Sequence, residues 1–589
     1  MHSGRSVHWL HRNATIPSID ADTARKTGGI GRDPPLEVIA RGQVKSESYD
    51  FVIAGAGSAG CVLASRLSAD PKVRVLLLEA GGWDRDPWIH IPLGWGRIFQ
   101  KRAHDWLYFA EPSATMDSRR IECARGKVVG GSSSVNAMAY YHGHRGDYER
   151  WAAKGLPQWS YAHVLPYFRR GEAWEGGAST YRGGDGPLTT QYCRFRDPLC
   201  DAFIEAGKAA GHPVTDDYNG PRQEGFAPIQ MTLRNGRRCS AAVAYLRPAM
   251  ARANLTVEVK ALATRVVMEG SRAVGVEYVQ GGEKHVARAE REVILSGGPI
   301  NSPQLLLLSG IGHPDELKPH GIAPRVALKG VGKGLLDHTS AIVSFRRKEP
   351  AGPFQRHMRL DRIALALAQA YLFGKGFASD LPFGITAFLK TREQEPVPDV
   401  QLLFWMGATT TAAPYLPPFK KAFTDSFSCR AMPMRPTSRG SVGLASADPA
   451  QAPRIQQNFL GREDEWRVIR TGVHMIRDIA RQPPLAPFVA GELSPGSACA
   501  SDRDIEAYVR STMGTVHHPV GTCMMGPASD EMAVVDGELR VIGAEGLRVV
   551  DTSVMPDLIA GATNGPVMMI AEKASDMILG RTPLPQADV

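Results

Sequence analysis

Three glycines and one acid near the start of the chain are spaced for phosphate and sugar chemistry. Asp50-Phe-Val-Ile-Ala-Gly55-Ala-Gly57-Ser58-Ala-Gly60 reads as a buried strand running into a tight turn, and Cys61-Val-Leu-Ala-Ser-Arg-Leu67 as the helix that follows. Arg74-Val-Leu-Leu-Leu-Glu79 is a second apolar strand, and Glu79 stands 19 positions beyond Gly60. In such a unit Gly55 permits the sharp turn, Gly57 lets the backbone approach a pyrophosphate, and Gly60 lets helix and strand pack closely. The helix N-terminus attracts the phosphate charge, and Glu79 can accept hydrogen bonds from ribose hydroxyls. Together they imply a bound dinucleotide.

Four further runs carry polar groups in apolar surroundings. Arg125-Gly-Lys-Val-Val-Gly130-Gly131-Ser132-Ser-Ser-Val135-Asn136-Ala137 offers closely spaced backbone donors and hydroxyls, a loop able to cradle phosphates. Gly298-Pro-Ile-Asn-Ser-Pro…Gly310-Ile-Gly312 reads as a strand-turn-helix corner. In Gly514-Thr-Val-His517-His518-Pro-Val-Gly-Thr-Cys523, adjacent histidines on an extended strand point to opposite sides and do not suit one metal. The turn at Pro519 to Cys523 could hold His518 rigidly over a ring. The last run is Leu547-Arg-Val-Val-Asp551 followed by Gly561-Ala562-Thr563-Asn564-Gly565-Pro566, with a helix expected from Gly565 to Leu579.

The elements that must position these groups alternate in style. Residues 47–145 read as strands, turns and helices, and 146–235, rich in Gly, Trp, Tyr and Pro, as irregular covering structure. Between Leu255 and Val279 two strands are expected, joined by a turn at Glu269-Gly270-Ser271, then a short buried strand at Glu292–Leu295 and an apolar helix over 303–310. Alternating segments at 341–346, 399–405 and 440–445 predict an antiparallel sheet. The fold class is therefore α/β: a dinucleotide-binding Rossmann-like domain built from separated segments, with an inserted substrate domain containing an antiparallel sheet. The expected division is an N-terminal arm over 1–46, nucleotide-binding segments over 47–235, 236–339 and 511–589, and a substrate domain over 340–510.

Composition narrows the class of function. The chain has 589 residues and a surplus of nine positive charges, spread along it rather than gathered with aromatics, which argues against a nucleic-acid partner. No run approaches the ~20 apolar residues of a membrane span. Eight cysteines show neither a C-x-x-C pair nor a regular spacing, so neither a disulfide framework nor a metal site is expected.

In this order the runs resemble the glucose-methanol-choline (GMC) family of FAD-dependent alcohol oxidoreductases, over residues 48–580 and through both signature stretches, 126–143 and 298–312. The resemblance implies FAD on Gly55, Gly57, Ser58, Gly60 and Glu79, with the flavin edge near Gly130, Gly131, Ser132 and Asn136. It places Ala263 at the adenine, and Asp551, Asn564 and Pro566 at flavin and pyrophosphate. Relatives with covalently bound flavin carry a histidine just before the loop asparagine; Val135 here implies non-covalent FAD. His518 matches the catalytic histidine, which accepts the hydroxyl proton as hydride leaves the carbinol carbon for flavin N5. The family's second histidine or asparagine, two places before Asn564, is Ala562 here.

The expected activity is oxidation of a primary or secondary alcohol to a carbonyl by a choline dehydrogenase-like enzyme of bacterial type in the cytoplasm. Reoxidation falls to oxygen, a quinone or another carrier, with a dehydrogenase preferred; the oligomeric state is not legible. Phe404, Trp405 and His517 are pocket candidates, though the aromatics suit a core equally well. Two alternatives share parts of the pattern. A lyase of the hydroxynitrile type would keep FAD and histidine without redox change, and a nicotinamide-dependent dehydrogenase would leave the loop at 126–137 without purpose.

Overall fold

The computed structural model describes residues 46–407 and 412–589; apart from Ser46, the expected arm lies outside them. The apolar run before Gly55 forms the strand Ser46–Ala54 at the centre of a seven-stranded sheet. Val75–Glu79 lies parallel on one side and Leu255–Val259 beyond it; Glu283–Leu295 lies parallel on the other side. Residues of the strands Ser46–Ala54 and Val75–Glu79 such as Val52, Ile53, Leu76 and Leu77 are almost wholly buried, as expected for a parallel sheet covered on both faces. The Leu547–Val549 strand joins late in the chain, pairing parallel with Val293–Leu295. Segments more than 250 residues apart in sequence thus complete one nucleotide-binding sheet.

Three strands, not two, fill the region after Leu255. Leu255–Val259 belongs to the parallel part, while Ala261–Glu269 and Arg272–Gln280 form an antiparallel hairpin on the first half of Glu283–Leu295. The expected turn at Gly270 is that hairpin's turn. In Ala261–Glu269 only Arg265 and Glu269 are exposed, so the strand lacks a strict alternation of buried and exposed residues. Residues 146–235 are also more regular than their composition suggests. They contain most of Arg145–Ala153, then Tyr161–Gly171 and Pro198–Ala209, all helical. Tyr161, Val164, Leu165 and Phe168 lie on one face at helical spacing and are buried, although Pro166 sits within the same helix.

The antiparallel sheet of the second half is ordered Val489–Ser494, Thr339–Arg347, Ser426–Pro433, Val400–Trp405, Phe383–Leu389 and Gly225–Pro228, with Gly514–Thr515 paired to Thr339 and Ser340. Gly440–Gly443 falls instead in a small sheet with Lys333–Leu335 and Arg454–Gln456. The long helix Glu463–Arg481 covers one face of the large sheet: a Cβ on Gly472 would lie 2.6 Å from that of Ala431. The opposite face is left to meet the histidine segment.

Candidate active site

The glycine turn is built by close approach. A Cβ on Gly60 would sit 1.9 Å from the Gly55 carbonyl oxygen, so only glycine lets the Ser58–Leu67 helix start directly above the strand. Gly131, at φ +52°, brings the second glycine loop against Gly57, where a Cβ would come within 2.7 Å of the Gly57 Cα. Gly57 is the N-cap and has no side chain, and the Thr563 side chain makes no capping hydrogen bond to the Asn564–Ile578 helix. Two uncapped helix N-termini therefore present free N–H groups and positive dipole ends. The Ser58 hydroxyl donates to Asn564 Oδ1 at 2.8 Å and ties them together.

Glu79 ends its strand buried, accepting the N–H groups of Ala56 at 3.0 Å and Gly81 at 2.8 Å. Burial raises its pKa to about 7 against those two bonds. A carboxylate offers about four acceptor positions, so two remain for ribose hydroxyls, whose donors would favour the charged form. In the loop, Asn136 Oδ1 accepts Met138 N–H and the Arg238 guanidinium, while Ser132 Oγ accepts Gly126 N–H. Asp551 is a buried clamp: it accepts Gly298 N–H at 2.8 Å, the Ser302 hydroxyl at 2.6 Å and Ser553 N–H, holding the Gly298–Leu308 helix to the last sheet strand. Ala263 lies half-buried at the root of the hairpin, and Pro566 is buried in the first turn of its helix. The uncapped N-termini, the approach of two glycine loops and the unspent acceptors of Glu79 fit FAD.

The histidine pair does not lie on an extended strand as expected. Gly514–Thr515 ends the strand, and His517 takes φ +67° while Thr515 Oγ1 accepts its N–H. This turn sends His518 toward a third histidine. His518 Nδ1 lies 3.0 Å from His338 Nδ1, with the rings edge to face at 87°. His338 Nε2 is 3.1 Å from the Met434 carbonyl oxygen. A carbonyl only accepts, so His338 carries its proton on Nε2 and accepts at Nδ1. His518 must then donate from Nδ1, which leaves its Nε2 lone pair free. Asp337 fixes the backbone by accepting His518 N–H at 2.8 Å and the Thr515 hydroxyl. Burial above all, with the Arg125 guanidinium and the neighbouring imidazoles of His338 and His517 opposing a further positive charge, holds His518 well below the ordinary histidine pKa.

Sequence reading missed His338, Asp337 and Arg125, whose guanidinium donates to the His517 carbonyl. A signal existed: Asp337-His338 is the one polar pair between Gly334-Leu-Leu and the strand that follows. Of the pocket candidates, Phe404 stacks on Phe203 at 4.1 Å, on the helix-covered face of the sheet, and is core. Strand alternation puts its neighbour Trp405 on the other face, against Trp95 at 5.6 Å. His517 meets the edge of Phe99 at 5.6 Å. Ala562 is half-buried in a loop pressed on Tyr141 through Gly561.

Family models decide what this arrangement belongs to. The GMC oxidoreductase N-terminal model matches residues 49–340 and the C-terminal one residues 436–571. The chain is a GMC oxidoreductase. It is 44% identical over 573 residues to the mitochondrial choline dehydrogenase of Homo sapiens, covering 95% of each chain. It is 43% identical over 541 residues to an oxygen-dependent choline dehydrogenase of Brucella anthropi, covering 92% of this chain and 97% of that one. The pyridoxine 4-oxidase from Mesorbium loti superposes with a TM-score of 0.80 at 30% identity, over 91% of this chain and all of that one. This GMC oxidoreductase is an FAD-dependent enzyme that oxidises an alcohol, as the α/β fold and the dinucleotide motif lead one to expect. Among the described residues no helix is long and apolar enough to cross a membrane, and no cluster suits a metal ion.

Proposed function

We propose that His518 is the general base of this oxidoreductase, with its free Nε2 accepting the proton of the substrate hydroxyl. The observation that carries this is the chain of hydrogen bonds from Met434 through His338 to His518, which leaves only Nε2 able to accept. Bound FAD supplies the hydride acceptor. The protein's own part is to keep the base neutral, oriented and enclosed. Burial disfavours the imidazolium, and the Asp337 and His338 bonds fix the ring. At Ala562 a methyl group stands where the family usually carries a polar side chain, so His518 or another pocket residue takes on more of the alkoxide charge. The reading for reoxidation is a dehydrogenase. The lyase alternative has no counterpart in the relatives and the neighbour reported above, whose names are those of oxidoreductases.

FAD is held without a covalent bond in this reading. Val135, which occupies the attachment position, has no nucleophile and packs with Ile89, Ile98 and Val128. The purified protein is expected to be yellow, to release all its flavin on acid precipitation, and to bleach anaerobically with a substrate alcohol. Flavin left on the denatured chain would refute the non-covalent part, and a flavin that no alcohol bleaches would refute the redox part.

A further inference from the structure

Among the described residues, three buried hydrogen-bond donors lie together without an acceptor on the face of the antiparallel sheet opposite the Glu463–Arg481 helix. Trp405 pairs with Ser428 across adjacent strands, and Leu403 with Arg430, so Trp405, Ser428 and Arg430 share that face. Trp405 is 7% and Ser428 3% exposed. Among the described residues, Trp405 Nε1, Ser428 Oγ and Arg430 Nε have no hydrogen-bond partner. Among the described residues the Arg430 guanidinium makes no ion pair, and it lies 5.9 Å from the centre of the Trp405 ring. Its surroundings are so poorly hydrated that its pKa falls to about 10. An indole N–H and a guanidinium N–H only donate, and a buried donor left without an acceptor is costly. Such a cluster suits a ligand that brings acceptors and negative charge.

The same face leads to the base. Arg430 lies opposite Ile342, and His338 stands four residues before Ile342, about 13 Å of strand. The positive charges of Arg125, Arg430 and Arg102, after burial itself, hold His517 down at about 3, which puts Arg430 within electrostatic range of the histidine turn. A quaternary ammonium, the substrate group in the names of the two choline dehydrogenases, would meet an unpaired arginine there. We propose that Trp405, Ser428 and Arg430 form an anion subsite, and that the substrate is an alcohol carrying a carboxylate several bonds from its carbinol carbon. This rests on His518 as the base. A 2-hydroxy acid is too short for the span, whereas a hydroxy acid with the alcohol at the far end of its chain fits.

Binding and turnover test it separately. Propionate, titrated into the holoenzyme, is expected to perturb the flavin spectrum and compete with substrate, while tetramethylammonium does neither. Arg430→Gln should weaken propionate binding by about 10- to 100-fold, the factor for losing a hydrogen bond to a charged group, and Ser428→Ala by less. In turnover, Arg430→Gln should raise KM for the terminal hydroxy acid with little change in kcat, and change kcat/KM for the straight-chain alcohol of equal length far less. Should Arg430→Gln fail to hold FAD, the wild-type contrast between propionate and tetramethylammonium decides alone. His518→Ala should still bind propionate, so a failure of the base assignment is distinguishable from a failure of the subsite. Binding of tetramethylammonium in preference to propionate, or equal losses on charged and neutral alcohols, would overturn the proposal.

Discussion

Replacing His518 by alanine is expected to lower kcat/KM by ~10²–10⁴-fold, the usual worth of general-base assistance, while FAD stays bound. FAD should survive because the groups that fit it lie elsewhere: the two uncapped helix N-termini, Glu79 and the Gly130–Gly131 loop. His517→Ala is expected to cost far less. Its ring turns toward Phe99 and Glu122, and its own position in the turn is set by backbone bonds to Thr515 and Arg125. The wild-type pH profile carries its own sign. A base works unprotonated, and burial with nearby positive charge pushes His518 below the ordinary value near ~6.5. The acid limb of kcat/KM therefore falls below that value, and activity stays level from neutral pH down toward it. Comparable losses in the two histidine variants, or an acid limb above ~7, would show that the base has been misassigned.

How much of this was readable beforehand follows from the range of each interaction. The Gly55-Gly57-Gly60-Glu79 unit is local in sequence: strand, turn and helix lie within 30 residues, and Gly60 answers the carbonyl of Gly55, although the contact that requires Gly55 comes from Ser296 far along the chain. The periodicity of 341–346 and 399–405 likewise announces strands of the antiparallel sheet. What stayed hidden depends on distant partners. His338 becomes significant only because residue 518 arrives beside it, and Asp551 became a helix clamp because Gly298 and Ser302 reach it from 250 residues away. Phe404 and Trp405 are indistinguishable in composition, and only the helix over one face separates core from pocket. The positive φ of His517 is equally invisible, since nothing in the two-histidine pattern forbids a continuous strand.

His338 supplies the sharpest test of how the base is held, because its role requires both ring nitrogens. It donates to the Met434 carbonyl and accepts from His518 Nδ1, and it touches no reacting atom, so it positions the base rather than acting as one. His338→Leu removes the acceptor. His518 Nδ1–H is then buried without a partner, the ring is free to turn, and the tautomer with its lone pair on Nδ1 is no longer excluded. That tautomer presents a donor where the substrate needs an acceptor. The expected loss in kcat/KM is ~10²-fold or more, carried by kcat, with FAD content unchanged. His338→Gln separates positioning from mere packing. Its amide oxygen can accept from His518 while its NH₂ donates to Met434, so both bonds survive in one side chain. Activity of the glutamine variant is expected within about tenfold of wild type, because only the geometry of two hydrogen bonds is disturbed, not their number. If leucine and glutamine cost the same, the histidine is there for volume and the tautomer argument fails. If leucine costs nothing, His518 selects its tautomer without help, and the bond between the two rings has no part in catalysis.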